Sequence, residues 1–204
     1  MFDSGISVSD LVSQLKDEVD IAIPIKNSSY VLWLNALEQL LYTELIQEQG
    51  KIELEAVESG VISIDTLRVP NGENAVRFED IYTVYAGNTQ LKESTLASGV
   101  IFPNTFYKEQ NNIGLNLKKS PCNIKIIYIV RPALKTVSAD DDEIGAGNVM
   151  LPIEFVDLAK AKLRGEAYKV ANEDGIAAKW LNDYNVLLET FKAWLSGNQS
   201  EFGM

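Results

Sequence analysis

The apolar positions change period twice along the chain. In SVSDLVSQLKDEV, Leu11, Val12, Leu15 and Val19 share one face of a helix. Ser7 is placed to cap its first turn, with Asp10 three residues on. Ile23-Pro24-Ile25 then predicts an extended link, because the residue before a proline is pushed out of the helical region. A longer helix follows in NSSYVLWLNALEQLLYTELIQEQG, with Ser28 or Ser29 as cap and Gly50 as stop. Tyr30, Leu34, Leu37, Leu41 and Leu45 form its stripe, and Trp33 and Leu40 widen it. A stripe that wide predicts burial against more than one neighbour.

From residue 51 the period falls to two. KIELEAVE alternates at Ile52 and Leu54, leaving Glu53, Glu55 and Glu58 for a wet face. GVISIDTLRV continues the strand signal up to a turn at Pro70-Asn71-Gly72. Val76 and Phe78 lead into the aromatic-rich run 81–85, which Gly87-Asn88 reverses. TFYKEQNNIGLNL predicts a hairpin with Asn111-Asn112 near its tip. In NIKIIYIVRP, Ile124, Ile126, Tyr128 and Val130 face one way, and the opposite face is partly apolar, as in a central strand. No helical segment separates these strands, so a mostly antiparallel sheet or small sandwich is expected rather than βαβ units.

The period returns to 3.6 after the acidic linker SADDDEIGAG. Pro152 suits the first position of a helix that carries Phe155 and the small residues Ala159, Ala161, Gly165 and Ala167, suited to a close helix crossing. NEDG is short enough to force a helical hairpin. The last helix carries Ile176, Trp180, Tyr184, Leu187, Leu188, Phe191 and Trp194 or Leu195 on one stripe, and Gly197 marks its end. The tail that follows has Phe202 as its one large apolar residue. The expected class is α+β: residues 1–50 a helical pair, 51–137 a β-rich module, and 138–204 linker, helical hairpin and short tail. One helical layer of about four helices from both chain ends is expected, with a core of Leu34, Leu37, Leu41, Phe155, Trp180, Tyr184, Leu187 and Phe191.

Charge and chemistry narrow the function classes. The net charge of −11 argues against a whole-protein role as a basic nucleic-acid binder. The chain has no His and a single cysteine, Cys122, which removes His-dependent nucleophilic catalysis, intrachain disulfides and the usual zinc sites. No P-loop or dinucleotide fingerprint occurs; GAGN, residues 145–148, lacks the Lys-Ser/Thr ending. Asp140, Asp141, Asp142 and Glu143 form the densest acidic run but not a calcium loop, and a solvated linker is the expectation. No catalytic residue, metal or cofactor is therefore expected, and no membrane span. Residues 1–60 hold three Lys against eleven Asp and Glu, net −8. Residues 108–135 hold Lys108, Lys118, Lys119, Lys125, Arg131 and Lys135 against Glu109, net +5. Lys118, Lys119, Lys125 and Arg131, with Asp140, Asp141 and Asp142, are the candidate interface residues, on the reading that separated charge serves contact between copies or with an acidic partner.

SVSDLVSQLKDEV followed by SYVLWLNALEQLLYTEL, a Tyr-rich β module, and the closing LPIEFVDLAKAKLRGEAYKVANEDGIAAKWLNDYNVLLETFKAW together resemble the head-tail adaptor proteins of tailed bacteriophages, also called connector, neck or tail tubular proteins. The resemblance lies in the order of elements across most of the chain, and no single residue is diagnostic. It implies a virion structural protein without catalytic residues, assembled in the host cytoplasm. It implies a ring, commonly of about twelve head-to-tail copies, under the portal protein. That ring would extend the DNA channel without sequence preference and meet downstream tail or neck proteins. Other readings stay open on the residues alone: another tail-completion or head-closure subunit, a carboxylate-dependent hydrolase or lyase, or a binding module using Tyr82, Tyr85 and Tyr107.

Overall fold

The computed structural model describes residues 2–63, 80–94, 102–109 and 112–198. The turn expected at 70–72, the strand positions Val76 and Phe78, Asn111 at the hairpin tip, and Phe202 lie outside the described residues. The fold is α+β, with two helices near each terminus and a central, mostly antiparallel β module. The chain divides into two compact units, one of Met1–Ile46 with Leu134–Met204 and one of Gln47–Ala133.

The first unit begins with α1 (Val8–Glu18), where the Ser7 hydroxyl accepts from the Asp10 N–H as its spacing predicts. Val8, Leu11, Val12 and Leu15 are its buried face. Helix α2 (Asn27–Leu41) buries Tyr30, Val31, Leu34, Leu37 and Leu41 and passes into a π-helical turn, Tyr42–Ile46. Gln47, at φ +48°, follows the turn, so the helical path stops short of the Gly50 suggested by the sequence. Pro152 precedes a 3₁₀ turn, Ile153–Phe155, and α3 (Val156–Val170) starts one turn later than expected. Asn172, at φ +60°, supplies the left-handed residue after α3, and α4 (Asp174–Asn198) runs on through Gly197.

Helix α3 packs against α1, α2 and α4. Its Gly165 lies under Leu181 of α4, where a Cβ would come within 2.7 Å of the Leu181 side chain. The close crossing offsets the weak helix propensity of glycine. Leu34, Leu37, Leu41, Phe155, Tyr184 and Phe191 belong to the buried cluster, as predicted. Trp180 and Leu187 do not: they are half-buried and flank it, and Ile176 is exposed. Helix α4 has 25 residues against 15 in α3, and its buried aromatic contacts lie in its C-terminal part, where Phe191 and Trp194 meet Phe155 at ring-centroid distances of 4.9 and 5.3 Å. Phe2 adds a further ring 5.8 Å from Trp194. The two chain ends are tied by backbone bonds from Ser4 to Val149, Val149 to Ile6 and Val8 to Gly147. The GAGN segment is therefore engaged through Gly147 in an internal backbone pairing.

The second unit is built from β1 (Gln49–Val57), β2 (Gly60–Ser63), β3 (Ile81–Ala86), β4 (Thr89–Gln90), β5 (Lys92–Glu93), β6 (Thr105–Glu109), β7 (Asn112–Asn116) and β8 (Cys122–Ile129). They form two four-stranded sheets, β1-β8-β3-β4 and β2-β7-β6-β5. One short pairing, β5 with β6, is parallel. The strand β8 lies between β1 and β3, and Ile124, Ile126 and Tyr128 are buried on one face, as its alternation predicts. They share a core with Val84 and Ile52 of the same sheet and with Phe106, Ile113 and Leu115 of the other. Gly50 belongs to β1 opposite Tyr128, and the tyrosine ring occupies the space a side chain at 50 would need. Gly114 opposite Tyr107 repeats that arrangement in the second sheet. Of the three candidate contact tyrosines, only Tyr82 is exposed; Tyr85 and Tyr107 are half-buried.

Candidate functional site

The basic stretch is largely consumed inside the fold. Arg131 donates through Nε to the buried carboxylate of Asp80 at 2.6 and 2.7 Å. Lys125 stands opposite Glu53 on β1, its Nζ 4.7 Å from the centroid of the Tyr85 ring. Lys108 reaches Glu93 at 3.6 Å. Lys118 and Lys119 remain exposed, in the turn between β7 and β8. Of the cations nominated as an interface, these two are the exposed ones.

Lys135 has a different role. Its ammonium pairs with the Glu38 carboxylate, and both side chains are almost fully buried. Glu38 is the one ionisable carboxylate of α2, and its second oxygen accepts from the Met150 N–H at 2.8 Å. Asn35, one turn earlier, exchanges two hydrogen bonds with the Lys135 backbone, each at 2.9 Å. Burial lowers the Lys135 ammonium to about 8, and the touching carboxylate opposes that loss. The segment after the β module is thus fixed along α2 by one buried ion pair and an amide clasp.

The acidic run also works internally. Residues 136–145 fold back on themselves through a bridge between Val137 and Ile144 and a Gly145-to-Thr136 backbone bond. Asp141 sits at the tip with φ +67°. Its carboxylate accepts from the Asn27 N–H at 2.8 Å and the Ser28 N–H at 2.7 Å, and its carbonyl accepts from the Asn27 side chain at 2.7 Å. The first residues of α2 are therefore capped from 114 residues away, not by Ser28 or Ser29. Hydrogen bonding from Ser28, and less from Asn27, holds the Asp141 carboxyl below the usual carboxylate range. Asp140 is held low mainly by Ser138, while the side chains of Asp142 and Glu143 are exposed. Among the described residues, no group of three or more His, Cys, Asp or Glu is arranged to hold a metal ion.

An expected result follows for the cap. Asp141→Ala lowers the melting temperature at neutral pH, and Asp141→Asn, which keeps one acceptor, lowers it less. A carboxyl held low in the folded state stabilises above its unfolded value of about 4, and that gain disappears as pH falls through the folded value. The gap between Asp141→Ala and wild type should therefore close in acid. Melting curves at pH 7 and pH 3 check this, and an unchanged gap would remove the carboxylate from the explanation.

Two of the clefts formed by the described residues lie on the helical unit. One, of about 300 Å³, is bounded by α1 and the acidic loop and includes Ser9, Ser13 and Asp142. The other, of about 450 Å³, runs between α3 and α4 over Ala161, Trp180 and Leu187. At its side the Arg164 guanidinium lies 4.5 Å from the Trp180 ring centroid and pairs with Glu18 of α1. Among the described residues, no helix is long and apolar enough to cross a membrane. No known protein-family model and no curated protein sequence matches the chain.

Proposed function

We propose that the chain is a non-catalytic virion subunit of a head-tail adaptor ring, which joins the portal to the tail and continues the DNA channel. The observation that carries the reading is architectural. Helices from both chain ends make one compact unit, and the whole β module is an excursion between them. This is the order of elements on which the resemblance to adaptor proteins rests. Of the nominated residues, Asp141 and Arg131 are spent on holding the fold together, as is Lys135 beside them in the basic stretch, which suits a structural role. An acidic surface suits a passage that DNA slides through without sticking.

The test uses purified portal protein and negative-stain microscopy, with circular dichroism as the control for folding. Wild type should add a ring to portal at low salt. Reversing the exposed pair, Lys118→Glu with Lys119→Glu, should weaken docking or ring closure while the dichroism spectrum stays unchanged. Reversing Lys125→Glu as well should also disturb the β sheet, because Lys125 is engaged with Tyr85. Normal docking by the double reversal removes charge matching from the proposal. Failure of wild type to join portal or neck proteins at any salt removes the adaptor assignment.

A further inference from the structure

The chain enters and leaves the β module on neighbouring strands. The helical path ends at Ile46, and β1 begins at Gln49. The return runs out of β8 at Ile129. Gln49 stands opposite Ile129, and the Val130 N–H donates to the Glu48 carbonyl at 2.8 Å. Entry and exit thus belong to one antiparallel ladder, which closes the module on itself. Two ion pairs flank the return, and each is completed within its own unit. Arg131 pairs with Asp80, the residue before β3, in the module. Lys135 pairs with Glu38 in the helical unit. Between these two anchors lie Pro132, Ala133 and Leu134.

The units also have separate cores. One buried cluster draws on residues from Val8 to Ile46 and from Val149 to Phe191. The other draws on residues from Ile52 to Tyr128, and among the described residues the two have no member in common. We propose that the β module is a separately cooperative insert, which opens and refolds as one step while the helical unit stays native. Cooperativity arises where elements bury apolar surface against one another, so one shared core melts as a whole and separate cores melt separately.

Opening the module parts Ile126 and Val84 from Phe106 and Leu115. It takes nothing from the cluster that α1, α2, α3 and α4 share. The Asn35 and Glu38 bonds to Lys135 and Met150 lie wholly in the helical unit, so the returning end of the chain stays held. An opened module is then a long loop between two fixed ends, and the entropic cost of closing a loop grows only slowly with its length. A partner that remodels the β strands could do so without dismantling the helices.

The chain carries a natural reporter for each unit. Its three tryptophans, Trp33, Trp180 and Trp194, lie in the helical unit, and its single cysteine, Cys122, is the first residue of β8. Urea unfolding of the full chain is followed by tryptophan fluorescence, by far-ultraviolet dichroism and by a short pulse of a thiol reagent that labels Cys122 in the opened module. Ile126→Ala truncates a fully buried side chain of the β core. It should lower the Cys122 midpoint by on the order of 1 M urea, leave the tryptophan midpoint in place and split the dichroism curve into two steps. Phe191→Ala, in the helical core, should lower the tryptophan midpoint and leave that of Cys122 in place. If Ile126→Ala opens the module even without urea, Cys122 labels at once and the tryptophan transition is still expected at the wild-type midpoint. Loss of that transition would overturn the proposal. So would tryptophan and Cys122 curves that shift together in either variant.

Discussion

Replacing Lys135 by Met should destabilise the helical unit by about 3–5 kcal/mol, because it leaves the Glu38 carboxylate buried without its counter-charge. Glu38 has nowhere to go. It sits on the inner side of α2 at 1% exposure, and its other oxygen already serves the Met150 N–H. Removing the acid along with the base should recover most of the loss. In Glu38→Gln with Lys135→Met, the amide oxygen still accepts from Met150, no charge is buried, and the methionine fills the space of the lysine stem. That double variant should lie within about 1–2 kcal/mol of wild type, since buried ion pairs contribute little net stability over well-packed neutral replacements. Urea unfolding of the two variants and of Glu38→Gln alone, followed by far-ultraviolet dichroism, gives the comparison. Equal losses in Lys135→Met and in the double variant would show that the lysine stem's packing, rather than the stranded charge, sets the effect.

That ion pair also shows where the sequence was legible and where it was not. Periodicity placed α1, β1, β3, β8 and the closing hairpin, because each has one buried face and its apolar residues must repeat with the element. The Ser7 cap was legible for the same local reason. What escaped were partnerships across long stretches of chain. Asp141 caps α2 over 114 positions, and Lys135 meets Glu38 over 97. Neither leaves a mark in local composition: Asp141 looks like one more acid in a solvated run, and Lys135 like one more base in a positive stretch. One signal was present. Glu38 is the single ionisable carboxylate in a helix otherwise free of charge, at a position next to the buried Leu37. A lone charge there demands a buried partner of opposite sign. Gly50 misled for a related reason: it reads as a helix stop, whereas the space beside it is taken by the cross-strand ring of Tyr128.

The second large effect is expected at Phe191, and it separates the real core of α4 from its apparent stripe. Trp180, Tyr184, Leu187 and Phe191 share a helical face in the sequence, and Trp180 is the largest of them. Size alone would make Trp180→Ala the most damaging change, at about 3–5 kcal/mol if the ring were fully enclosed. Its ring is half-buried instead, with the Arg164 guanidinium over one face. Trp180→Ala should then cost about 1–2 kcal/mol, the sum of partial burial and a partly exposed cation–π contact. Phe191 is completely buried and packs on Phe155 at 4.9 Å and on Trp194 at 6.0 Å. Phe191→Ala opens a cavity at the point where α4, the 3₁₀ turn before α3 and the N-terminal segment carrying Phe2 are held together through Phe155 and Trp194. The expected loss is about 3–5 kcal/mol, and Phe191→Leu, which keeps most of the volume, should lose less than half of that. Urea midpoints for the three variants give the order Phe191→Ala, then Trp180→Ala and Phe191→Leu at smaller loss. If Trp180→Ala proves as costly as Phe191→Ala, the tryptophan is enclosed in solution and the α3–α4 groove is not open as described.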